Sequence, residues 1–99
     1  MEAKSREHTR TYFLGKLAEQ LHERGLAASL RAQPPSLRLT DPDVSMLTET
    51  VDCVAVADED GAAAWFYRWS WGDLVGRADD PAAAADRIAQ VFAARAGET

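Results

Sequence analysis

Apolar residues recur every three to four positions near the start of the chain, at Phe13, Leu14, Leu17 and Leu21, behind Thr9 or Thr11 as the capping residue. That spacing predicts an amphipathic helix running to about Arg24, with Gly25 as the residue after its end. Leu26 to Arg31 predicts a short strand, Gln33-Pro34-Pro35-Ser36 a break, and Leu37-Arg38-Leu39 a second strand by its alternation. Asp41-Pro42-Asp43 predicts a turn that opens a single helical turn around Val44 to Leu47. The β-branched residues Thr48, Thr50, Val51, Val54 and Val56 predict a third strand, closed by Asp58-Glu59-Asp60-Gly61 as a hairpin. In the fourth, Trp65, Tyr67, Trp69 and Trp71 alternate, so in a strand they line one side. Gly72 to Gly76 is expected to bring the chain off the sheet. Asp80 then caps a second helix that starts at Pro81 and carries the stripe Ala85, Ile88, Val91 and Phe92 to about Arg95.

The expected fold is α+β: an N-terminal helix, a four-stranded antiparallel meander and a C-terminal helix, both helices on one face of the sheet. The chain forms one α-β-β-β-β-α domain over residues 9–96, with tails at 1–8 and 97–99. Ninety-nine residues, 46% of them hydrophobic, suffice for a single core without metal or disulfide staples.

The register of the third and fourth strands decides which side the helices cover. An even-numbered loop at residues 58–61 puts the aromatic stripe with Asp52, Val54 and Val56, as core. It leaves Val51, Cys53 and Ala55 with Phe66, Arg68 and Ser70 on the opposite, uncovered side. A three-residue loop with a bulge reverses the assignment. On the even-loop register, Val51, Phe66 and Arg68 are the candidate partner-binding residues, because a partly apolar sheet face without its own cover favours a partner and arginine is favoured at interfaces. A two-fold homodimer is the simplest such contact. The alternative is a small-molecule site in an aromatic pocket formed by Trp69, Trp71 and Asp73 beside the glycine-bounded loop.

Charge narrows the partners. The net charge is −5, yet residues 1–32 hold six Lys/Arg against four Asp/Glu and residues 33–99 hold five against twelve. An acidic body disfavours nucleic acid and favours another protein, of basic character. The lone cysteine, Cys53, sits in an apolar run as a packed thiol, which suits a reducing compartment. His8 and His22 have no second ligand at metal spacing, and the carboxylates fall at turns and caps, so no metal or cofactor is expected. No positioned acid, base or nucleophile points to an enzyme. With no signal-like N-terminus and no apolar run of about 20 residues, the expected place is the cytoplasm, without a membrane partner.

The leading amphipathic helix, hairpin-rich sheet, closing helix and acidic body resemble, in element order, small type III secretion chaperones and related bacterial regulatory α+β domains, although the chain is shorter than typical members. Those proteins commonly dimerise and bind partner polypeptides without catalysis, so the resemblance implies a regulatory or chaperone-like role; it places no site residue. Trp69-Ser70-Trp71-Gly72-Asp73 and Ala78-Asp79-Asp80-Pro81 with the following alanines also look like segments of short proteins from high-GC bacteria, a likeness that carries no activity with it.

Overall fold

The computed structural model describes residues 2–32, 34–42, 44–57 and 59–97. The element order is α1 (Glu2–Glu23), β1 (Ala27–Ala32), β2 (Pro35–Asp41), β3 (Val44–Ala57), β4 (Ala63–Trp69), β5 (Leu74–Arg77) and α2 (Pro81–Gly97). The fold is α+β, with the strands in one antiparallel sheet in the order β1-β2-β3-β4-β5. Five strands replace the four expected. Among the described residues, no helix is long and apolar enough to cross a membrane.

Helix α1 begins at Glu2 rather than after a tail, since residues 2–8 contain neither glycine nor proline to stop it. It ends as its sequence dictates. The Gly25 N–H donates to the His22 carbonyl and the Leu26 N–H to the Leu21 carbonyl, with Gly25 at a φ of 82°. This paired 6→1 and 5→2 closure needs a left-handed residue, which glycine adopts without a Cβ penalty. Helix α2 starts where Asp80 accepts a hydrogen bond from the Ala83 N–H at 3.2 Å through its side chain, the N-cap expected ahead of Pro81. Arg24 links the two helices. Its Nε donates to Asp86 at 2.7 Å and its Nη2 to the Ala82 carbonyl at 3.3 Å.

The segment Val44 to Leu47 is strand, not a helical turn, and it carries β3 through an irregularity where Thr40 pairs with Thr48 but Asp41 with Val44. Asp43, part of the expected turn, lies outside the described residues, as does Gln33 in the proline break. Gly72 ahead of the fifth strand and Gly76 within it hide that strand in the sequence. The Gly72 N–H donates to the Trp69 carbonyl and the Trp69 N–H to the Asp73 carbonyl, while Gly72 takes a φ of 103°. Trp69 to Asp73 is therefore a tight turn followed by a left-handed glycine, a bulged hairpin that sends the chain back along β4 instead of off the sheet.

The other hairpin sets the register. Ala57 pairs with Ala63, so five residues, an odd number, separate the two strands, Asp58 of the expected hairpin lying outside the described residues; Val51 faces Trp69, Cys53 faces Tyr67 and Ala55 faces Trp65. The even-loop register is thereby overturned. Trp65, Tyr67 and Trp69 share their side with Val51, Cys53 and Ala55, while Asp52, Val54 and Val56 lie opposite Arg68, Phe66 and Ala64.

The core follows the register. Leu37, Leu39, Val51, Cys53, Tyr67, Trp69 and Val75 from the sheet join Leu14, Leu17 and Leu21 of α1 and Ala84, Ala85, Ile88 and Phe92 of α2 in one buried cluster. Burial of each large aliphatic or aromatic side chain contributes roughly 1.5–3 kcal/mol. Tyr67 also ties sheet to helix, its hydroxyl donating to the Phe13 carbonyl at 2.7 Å. The aromatic stripe is core for Tyr67 and Trp69, as expected of large rings, whereas Trp71 is 45% exposed.

Candidate functional site

Alternation on β4 sends Phe66 and Arg68 to the side of the sheet opposite Tyr67 and Trp69. Both are half-buried there, as are Val54 and Val56 across the ladder. The Arg68 guanidinium grips Asp52 with two bonds, Nε to Oδ1 at 3.1 Å and Nη2 to Oδ2 at 2.7 Å. These bonds to Asp52 raise the pKa of Arg68 further. The Arg77 guanidinium lies 5.6 Å from the centre of the Phe66 ring and also pairs with Asp79. An apolar centre of Val54, Val56 and Phe66 is thus edged by two arginines, each already holding a carboxylate.

Val51 does not belong to this group. Expected beside Phe66 and Arg68, it is fully buried opposite Trp69, on the side packed by helix residues. The physical reason is the parity of the 58–62 loop, which moves every β3 side chain to the other side relative to β4. Cys53 moves with it, and burial pushes its thiol up from 9.0 to about 12. A thiol so held stays protonated, and thiolate chemistry is closed to it at neutral pH. Burial likewise raises the Tyr67 hydroxyl.

Trp69, Trp71 and Asp73 do come together. The two indoles stack with centroids 4.6 Å apart and 10° between planes, and the Trp71 Nε1–H donates to Asp73 at 3.0 Å. Arg95, from the last turn of α2, lies 5.0 Å from the Trp71 ring centre and pairs with Glu49 of β3. At that separation no third ring fits between the indoles, so the group clasps the end of α2 to the sheet.

Two shallow grooves lie along these strands, the first on the Phe66 side and the second reaching from that side to Cys53 and Arg10, and both contain residues that pattern reading passed over. One, of about 330 Å³, is lined by Arg31, Ser36, Arg38, Thr48 and Thr50. The second, of about 380 Å³, shares Ser36 and Thr50 and continues past Pro35 to Asp52, Arg68 and Arg10. The signal was present in β1 and β2, where Ser29 and Arg31 alternate with leucine and alanine, and Ser36 and Arg38 with Leu37 and Leu39. Among the described residues, no three of His, Cys, Asp and Glu gather in a way that could hold a metal ion.

Comparison with protein-family models, curated proteins and solved structures gives no match to this chain.

Proposed function

We propose that this chain is a non-enzymatic protein-interaction module, homodimeric and cytoplasmic, that serves as a regulatory or chaperone-like partner of another polypeptide. Both helices are taken to cover the Val51 side of the sheet, which leaves the Phe66 side for docking. The observation that supports the reading is that one buried cluster joins core residues of both helices to Val51, Cys53, Tyr67 and Trp69, whereas Val54, Val56 and Phe66 keep part of their apolar surface in water. A half-exposed apolar centre edged by arginines suits an interface core with a polar rim.

Light scattering tests this directly. Phe66→Glu and Arg68→Glu should each lower the mass in solution from dimer toward monomer while leaving the helical circular dichroism intact. Unchanged mass in both variants, or a wild-type protein that is already monomeric, would remove the homodimer.

A further inference from the structure

We infer that the arginine- and hydroxyl-lined groove on the Phe66 side takes an extended acidic segment of a partner polypeptide, with carboxylates seated on Arg31 and Arg38 at one end and on Arg68 at the other. This rests on the docking face proposed above and names the chemistry of what docks there.

Local charge differs from global charge. The chain carries −5, but the two joined grooves are lined by Arg10, Arg31, Arg38 and Arg68 against the single carboxylate of Asp52, a balance of +3. Register explains the clustering. Ser29 pairs with Arg38 and Arg31 with Ser36, so Arg31 and Arg38 are diagonal neighbours on one side of β1 and β2. Side chains in that relation start about 7–8 Å apart, within reach of one another for residues as long as arginine. Neither makes an ion pair or side-chain hydrogen bond among the described residues, and both are exposed. Two like charges held together without a counter-charge repel, and an anion between them relieves the repulsion.

Arg68 marks the other end, where its two bonds to Asp52 use Nε and Nη2 and leave Nη1. Arg10 also contributes to the lining, reaching it from α1 with its guanidinium 5.8 Å from the Trp65 ring centre. Between the ends, the hydroxyls of Ser36 and Thr50 line both grooves and can bond peptide groups.

Spacing selects the ligand. From β1 to β4 is three inter-strand steps, about 14 Å, and residues i and i+4 of an extended peptide lie about 13 Å apart with side chains on the same side. Two acidic residues four apart therefore span the groove. A nucleic-acid strand fits less well, because the lining residues include no aromatic side chain for base stacking and the acidic remainder of the chain repels a polyphosphate.

The test is fluorescence anisotropy with labelled decaglutamate, and with a thymidine decanucleotide of equal length. Decaglutamate should bind more tightly than the oligonucleotide. The joint variant Arg31→Glu/Arg38→Glu should weaken its binding by about tenfold or more, a loss of two charge-assisted contacts. Arg87→Glu, on the exposed part of α2, should leave it unchanged. No decaglutamate binding, equal loss in the Arg87 variant, or tighter binding of the oligonucleotide would each overturn the inference. So would a wild-type dimer that Arg38→Glu dissolves, since the groove would then hold a second copy. If decaglutamate fails while Phe66→Glu still changes the mass, only the acidic ligand falls and the docking face stands.

Discussion

The two sides of the β3–β4 ribbon share one ladder and the same kinds of residue, yet they meet different surroundings. On one side Val51 faces Trp69 and Cys53 faces Tyr67, and none of the four exceeds 4% exposure. On the other, Asp52 faces Arg68 and Val54 faces Phe66, and all four keep contact with solvent. Intrinsic strand preference does not separate these sets, since valine and a large aromatic occur in both. Burial against the helices does. One side lies in the buried cluster and tolerates little change, while the other keeps its charges and part of its apolar surface in water.

The sharpest way to break that contrast is to truncate a ring on each side. Tyr67→Ala removes a fully buried ring and its bond to the Phe13 carbonyl, and should cost about 3–5 kcal/mol in urea unfolding. Phe66→Ala should cost far less. Equal losses at the two positions would mean that the two sides are packed alike.

Alkaline pH probes the same contrast through titration. The Cys53 thiol is raised in the folded protein from 9.0 to about 12, so above pH 9 the unfolded chain loses a proton that the folded one retains. The stability associated with the neutral thiol is thus fully present below pH 9 and is lost as the pH climbs toward 12, at no more than about 1.4 kcal/mol per pH unit. Tyr67, raised by the same burial, adds to the loss at still higher pH. Urea midpoints measured between pH 8 and 10.5 should fall, and the fall should be shallower in Cys53→Ala. An identical slope in that variant would place the thiol in water.

Much of this arrangement is legible in the chain before any coordinates. The αL closure at Gly25, the cap at Asp80 and the burial of Tyr67 and Trp69 follow from local rules that depend on a few neighbouring residues. The register of β3 against β4 does not, because it depends on whether Ala62 belongs to the loop or to the strand. Nothing local distinguishes Ala62 from Ala63 in a run of three alanines. Val51 was misplaced for that reason, and β5 was missed because a bulged turn at Gly72 resembles a chain break in composition. The arginine groove escaped notice for a third reason. Net charge averages over the whole chain, whereas Arg10, Arg31, Arg38 and Arg68 meet only after α1 and three strands are brought together.

The clasp at the sheet's end should give a smaller effect than the core. Trp71 is 45% exposed, but it stacks on Trp69 and lies under Arg95. Trp71→Ala should cost about 1 kcal/mol, the usual worth of one aromatic pair beyond its buried area. It should also change the emission of Trp69, which loses its stacked neighbour. Unaltered emission of the remaining tryptophans would show that the rings do not stack in solution.

The smallest effect belongs to Arg68, and its size separates a docking residue from a structural one. The Arg68–Asp52 pair has ideal two-pronged geometry, yet the arginine side chain is 42% exposed and the aspartate 33%. Water screens such a pair, so Arg68→Ala should cost less than about 1 kcal/mol. The affinity for an acidic segment should respond more strongly, because the substitution removes one seat and also frees the Asp52 carboxylate to repel the ligand. A variant that loses decaglutamate binding while keeping its urea midpoint assigns Arg68 to recognition. One that loses stability and affinity in equal measure returns it to the scaffold, and with it the distinction drawn between the two sides of the ribbon.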